Sequence, residues 1–147
     1  MATFTKLNGF VEHLAEKIHD LGADQLAVAL SNTAPASEIT PPTGATATCI
    51  LANVTQIAYT NLSTRNITTA SSAQTSGTYK LTLTDLTLTA TGGPVGPFRY
   101  VYLYNSTPVT PANPLIGYYD YGASITLAAG ETLLIDFDAT NGVLTIA

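Results

Sequence analysis

Charge is the scarcest property of this 147-residue chain. Asp, Glu, Lys and Arg together make up 10% of it, against roughly 25% in an ordinary globular domain. Because Thr, Ser and Asn are plentiful, the surface is expected to be polar yet mostly uncharged, which suits extended contacts with neighbouring molecules. The five cations, Lys6, Lys17, Arg65, Lys80 and Arg99, form no cluster, and the formal net charge is −5 with a pI of about 4.6. Nucleic acid, which is bound largely by phosphate neutralisation, is therefore not an expected partner. Cysteine occurs once, at Cys49, so neither an intrachain disulfide nor a thiolate metal cluster is available, and a small buried hydrophobe is the expected role. No stretch approaches the ~18 uninterrupted apolar residues that suggest a membrane span. The opening MATFTKLNGF has neither the basic region nor the apolar core of a secretory signal. The expectation is a soluble protein made in the cytoplasm, with no membrane partner.

What is present is enough for one domain. At 46% hydrophobic content the chain can bury about two-thirds of its unfolded surface without metals or disulfides. Leu7, Phe10, Val11, Leu14, Ile18 and Leu21 recur at helical spacing, with Glu12, His13, Glu16, Lys17 and Asp20 between them. This predicts an amphipathic helix over about residues 7–21, capped by Asn8 and ended by Gly22. So short a helix is marginal by itself. Its stripe is expected against the sheet, with another subunit as the alternative.

Residues 24–31 (DQLAVALS) read as a strand. NTAPASEITPPTGATAT, residues 32–48, is rich in Pro and small residues and reads as an extended loop or arm, mobile or held by a partner. Residues 49–57 fit a short helix or a strand equally. From residue 67 to 147 the pattern is strand after strand. Tyr79, Leu81, Leu83, Leu86 and Leu88 alternate with Lys80, Thr82, Thr84, Thr87 and Thr89, as in half-buried antiparallel strands. The GGPVGP run at Gly92 to Pro97 is expected to be a corner that no central strand crosses. FRYVYLY, residues 98–104, is apolar at nearly every position and reads as a central strand covered on both faces. Strands at 115–121, 124–127 and 132–138 follow, and Asn141-Gly142 predicts a hairpin into residues 143–146. The fold expected is mainly β: one antiparallel two-sheet sandwich, of which a jelly roll is one form, with eight or nine strands and one N-terminal helix.

No catalytic constellation emerges, and catalytic, cofactor-binding and metal-binding residues are each expected to be none. Gly122-Ala123-Ser124-Ile125-Thr126 lacks the last glycine of a nucleophile elbow. His13 and His19 stand six apart, about 240° around a single helix, so that one helical face would not join them. Asp136, Asp138 and Asn141 suggest the start of a calcium loop, but Gly142 comes one place late, Thr140 takes the third ligand position and no Glu closes the site. A solvated strand end is the expected reading. Sequons at Asn53, Asn61, Asn66 and Asn105 are of the kind an Asn- and Thr-rich chain produces by chance. At strand period Tyr100, Tyr102 and Tyr104 share one face; Tyr119 and Tyr121 share another, with Tyr118 opposite them. Core packing, a subunit interface and a sugar-stacking platform all remain open for this set.

Three stretches carry a resemblance: FTKLNGFVEHLAEKIHDLGADQLAVALSNTAP, SSAQTSGTYKLTLTD, and the run from GPFRYVYLYNSTP to the C-terminal NGVLTIA. Together they resemble a group of small virion proteins encoded by tailed bacteriophages, most like head decoration (cement) proteins. The likeness is one of overall pattern and carries no functional residues. It implies a non-enzymatic β-sandwich on the capsid surface of a virion, forming a homo-oligomer (dimer or trimer) and taking the major capsid protein as partner. Tail components and virion-surface sugar-binding modules are the alternatives. On this reading the arm at residues 33–48, or the helix, clamps a neighbour, and removing Pro35 to Thr46 is expected to leave the sandwich folded.

Overall fold

The computed structural model describes residues 2–147. Its elements in chain order are β1 (Phe4–Lys6), α1 (Asn8–Ala15), β2 (Leu26–Ser31), β3 (Asn66–Ile67), β4 (Thr69–Thr75), β5 (Thr78–Leu83), β6 (Leu86–Thr89), β7 (Val95–Asn105), β8 (Leu115–Leu127), β9 (Thr132–Ile135) and β10 (Leu144–Ile146). The molecule is mainly β with antiparallel pairing throughout and one α-helix near the N-terminus.

One layer is a five-stranded sheet in the order β1-β8-β7-β2-β3. The other is divided into a three-stranded piece, β10-β5-β4, and a two-stranded piece, β6-β9. Between them lies the main core. Leu26, Val28 and Leu30 of β2, Val101 and Leu103 of β7 and Ile116 of β8 meet Leu81 and Leu83 of β5, Leu86 and Leu88 of β6 and Ile135 of β9. Period-two alternation puts these residues on one face of each strand. Each fully buried aliphatic side chain contributes about 1.5–3 kcal/mol.

The far face of the five-stranded sheet is also covered. Ala27, Ala29, Tyr100, Tyr102, Tyr104 and Leu115 form a second cluster with Leu7, Cys49, Leu51 and Val54. This explains why β2 is buried at all six positions and why β7 reads as an unbroken apolar run. The cover is the segment expected to be an arm together with residues 49–57: Ala34 comes from the first, and Cys49, Leu51 and Val54 come from the second. It contains short 3₁₀ turns at Pro35–Ser37, Thr46–Thr48 and Leu51–Asn53, and Pro35, Glu38 and Pro42 are buried within it. The segment lies on the protein's own tyrosine face because that face would otherwise be wet.

Several boundaries move for physical reasons. The helix spans eight residues, not fifteen. Leu7 takes the N-cap position, because β1 runs straight into the helix and the Leu7 N–H donates to the Ile116 carbonyl at 3.0 Å. Asn8 instead donates its side-chain amide to the Thr43 carbonyl at 3.2 Å. At the other end Lys17, not Gly22, adopts the left-handed conformation, with φ 65°. Ile18 N–H reaches back to His13 O at 2.8 Å and Lys17 N–H to Leu14 O at 3.2 Å, the paired bonds of a Schellman motif. The helix closes one end of the sandwich, sending Phe10 into the main core and Leu7 into the second cluster.

β7 crosses part of the expected corner. It begins at Val95, and its register with β8 shifts between Val95 and Phe98. β2 pairs with β7 only from Tyr100 to Asn105, so Pro97 lies where one side of the strand has no partner and a missing donor costs no ladder bond. The two strands expected at 115–121 and 124–127 are one strand, β8. Asn141-Gly142 does not join two paired strands, because β9 pairs with β6 whereas β10 pairs with β5. The turn there carries the chain from one piece of the divided layer to the other. β1, unannounced by any periodicity, is an edge strand specified by its pairing with Gly117–Tyr119 of β8.

Candidate functional site

The early end of α1 changes the relationship of the two histidines. They are not on one helix; the reversal at Lys17 folds His19 back against His13, with ring centroids 5.9 Å apart and the rings edge-on. Both are buried, and Phe10 packs on His19 at 5.1 Å. The Thr107 N–H donates to Asn105 Oδ1 at 3.1 Å, which orients the Asn105 amide. Its Nδ2 then donates to Asp24 Oδ2 at 2.5 Å and faces His19 Nδ1 at 3.3 Å. His19 Nδ1 must accept, so the neutral ring carries its proton on Nε2. Burial, reinforced by the neighbouring His13 and opposed by Asp24, brings the His19 pKa down to about 4. Burial also lowers that of His13, against Glu12 and Glu16.

His19 Nε2 and His13 Nδ1 are buried with no hydrogen-bond partner. A metal on Nε2 would move the ring proton to Nδ1, where it would face the Asn105 NH₂, donor against donor. The pair is therefore built to hold neutral imidazoles, not to ligate. Among the described residues no group of three or more His, Cys, Asp or Glu is placed to hold a metal ion.

The other candidate residues are spent locally. Asp138 has φ 47° and accepts from the N–H groups of Thr140 and Asn141 at 3.2 and 3.0 Å and from the Asn141 amide at 2.8 Å. These bonds, those from Asn141 first, lower its pKa. Asp136 accepts from the Asp138 N–H at 2.9 Å. The acidic cluster is a self-bonded turn. Ser124 sits on β8 and its hydroxyl bonds Asn32 Oδ1 at 2.8 Å, with no histidine near it in sequence or pairing. Cys49 is fully buried, and desolvation pushes its thiol up to about 11, so little thiolate exists at neutral pH. Of the sequons, Asn105 is buried in the histidine cluster.

Tyr100, Tyr102 and Tyr104 do share a face. Tyr118 stacks on the first two at 6.2 and 5.7 Å, while Tyr119 turns the opposite way onto Phe4 and Phe137 at 5.1 and 6.3 Å. Tyr121 alone of this set is more than half exposed, at 52%. Tyr100, Tyr102 and Tyr104 are core, and Tyr118 and Tyr119 are half-buried. Sequence reasoning did not single out Glu38. It is buried yet accepts from the Thr55 N–H at 3.0 Å and the Thr55 hydroxyl at 2.7 Å, with the Ser31 hydroxyl at 3.5 Å. This fastens the covering segment to the sheet. A lone Glu in a Pro-rich stretch gives no sequence signal of such a role.

No family model, curated protein or solved structure matches this chain.

Ile39, at the turn of the covering segment, is fully exposed, and Val109, Leu134 and Tyr121 are 86%, 58% and 52% exposed. An apolar hollow of about 200 Å³ lies between β8 and β9, lined by Tyr119, Tyr121, Leu133 and Leu134. Among the described residues no helix is long and apolar enough to cross a membrane.

Proposed function

We propose that this chain is a non-enzymatic structural protein of a tailed-phage virion, a decoration or cement protein. In this reading it binds the outer surface of the head and joins adjacent major capsid subunits. The supporting observation is the division of labour between interior and surface. His13, His19, Glu38 and Cys49 are all turned inward. The outward residues are largely uncharged, with apolar side chains such as Ile39 and Val109 projecting from loops. Such a surface suits many modest contacts to a repeating lattice, where avidity multiplies weak individual affinities. Synthesis in the bacterial cytoplasm followed by addition to a finished shell fits a body that needs no disulfide.

In this reading the projecting Ile39 turn, held at its base by Glu38, touches a neighbour. The burial of the tyrosine rings removes support from the sugar-platform alternative. The test is the copy number of the chain in purified particles of the phage that encodes it, by quantitative mass spectrometry against the major capsid protein. Near-stoichiometric abundance is the expected result. A few copies per particle would move the protein to the tail, and absence from the particle would overturn the virion reading.

A further inference from the structure

Terminal strands of the sheets in this fold are short, with one conspicuous exception. β1 and β3 end the five-stranded sheet with three and two residues, β10 ends the three-stranded piece with three, and β6 and β9 have four each. β4 ends the three-stranded piece with seven residues, Thr-Ala-Ser-Ser-Ala-Gln-Thr, and no strand or isolated bridge covers its outer side. Five of its residues are exposed, and only Thr69 and Ser72 are half-buried. An uncovered edge of this length is a template for another strand unless charge, proline or a bulge blunts it. β4 has no charge and no proline. Its one irregularity lies between Thr69 and Ser71, leaving residues 71–75 in unbroken register with β5.

The groups offered at that edge follow from the hairpin. Ser76 and Gly77 have φ 52° and 86°, the positive pair of a type I′ two-residue turn. Thr75 and Thr78 are then a hydrogen-bonded pair, as are Ala73 and Lys80 two places along. By the same alternation, the N–H and C=O groups of Ser72 and Gln74 point away from β5, into solvent.

We infer that β4 is the surface through which two copies of this chain pair, antiparallel and about a two-fold axis, to make one continuous six-stranded sheet. The occupant is set by two properties. Antiparallel pairing of a strand with itself is self-complementary, which a two-fold interface requires. Charge points the same way: each copy carries −5, so like molecules repel across most of their surfaces, but β4, β5 and β10 contain a single charged residue, the cationic Lys80. A second copy meets least repulsion here. With the axis at Ala73, Ser72 of one copy and Gln74 of the other exchange both backbone bonds, and the symmetric pair does the same. The outer edge of β8 beyond Tyr119 is also open, but Gly122 bends it at φ 90° and the Arg99–Asp120 ion pair flanks it, which makes it the poorer template.

The experiment is sedimentation velocity of the purified chain over a concentration series, beside Gln74→Pro and Ala73→Lys. Gln74→Pro removes an N–H that the β4–β5 hairpin does not use and places a ring on the edge; Ala73→Lys sets like charges opposite each other at the axis. The wild type is expected to shift with concentration from its 15.3 kDa monomer towards twice that mass. Both variants should stay monomeric across the series and remain folded, melting somewhat below wild type, because Gln74→Pro also loses the bond from the Gly77 N–H to Gln74 Oε1 and Ala73→Lys sets a second lysine opposite Lys80. A wild type that stays monomeric at several hundred micromolar, a trimeric mass, or dimers that survive in folded Gln74→Pro would each overturn the inference. Unfolding of Gln74→Pro alone would leave the decision to Ala73→Lys. The dimer does not depend on the virion reading: particle copy number and solution mass are separate measurements, and either can fail without the other.

Discussion

His19 lies edge-on to His13 at 5.9 Å between ring centroids, although a helix terminus and a left-handed Lys17 separate them in the chain. Both rings are sealed from water and each keeps one nitrogen without a partner. The arrangement tolerates neutral imidazoles and penalises charged ones.

Acid stability should report this pair. The folded-state pKa of His19 is depressed to about 4, below the ordinary histidine value of about 6.5. The unfolded chain therefore binds more protons between these pH values. Stability is full above about pH 6.5 and declines as pH falls towards 4, by about 2–3 kcal/mol from His19, with His13 adding in the same direction. Urea unfolding at pH 7.5 and 4.5 measures the difference. His19→Gln should flatten the profile; an unchanged slope would show that the ring is not buried neutral.

Gly9 is helical, so replacing it with Ala ought to stabilise α1 by about 1 kcal/mol. Packing reverses the sign. A Cβ at Gly9 would meet Cys49 Cβ at 2.5 Å and the Thr46 backbone at 2.9 Å, and overpacking of that kind costs about 1–3 kcal/mol. Gly9→Ala is expected to lower the melting temperature, measured by circular dichroism.

Glu38 holds the segment over the tyrosine face through Thr55 and Ser31. Glu38→Ala should cost about 1–3 kcal/mol and speed proteolytic cleavage between residues 37 and 48, read by mass spectrometry of the fragments. Removing residues 35–46 altogether takes away the buried Pro35, Glu38 and Pro42. It should destabilise the body, contrary to what an unpacked arm would do.

The Tyr102 hydroxyl is fully buried and has no partner, and burial with the nearby Glu38 raises its pKa. Leaving such a group unpaired costs about 1–3 kcal/mol. Tyr102→Phe is therefore expected to be neutral or stabilising in chemical denaturation. A loss of more than about 1 kcal/mol would reveal a hydrogen bond to this hydroxyl.

Much of the fold was legible because local pattern and burial agree there. Alternation at Tyr79–Leu83 and Leu86–Leu88 marks strands with one face in the core, and the continuous apolar run at Phe98–Tyr104 marks a strand buried on both faces. The Leu7–Leu21 spacing announced a helix but overstated it. Leu21 reaches the core by a chain reversal that keeps helical spacing without helical backbone, while Ile18 is only half-buried. The candidate site was less legible for the same reason, since the separation of His13 and His19 rested on a helix that stops at Ala15.

By itself the sequence determined the β-rich class, the single amphipathic helix, the uncharged character of the surface and the solitary buried cysteine. These follow from composition and short-range periodicity, which act through neighbours in the chain. Only the tertiary structure decided that residues 34–54 lie on the tyrosine face, that β10 pairs with β5 and not β9, that the two histidines meet, and that β4 ends its sheet with an open edge. Each of those depends on which distant surfaces compete to exclude water, a contest between segments tens of residues apart that no local pattern encodes.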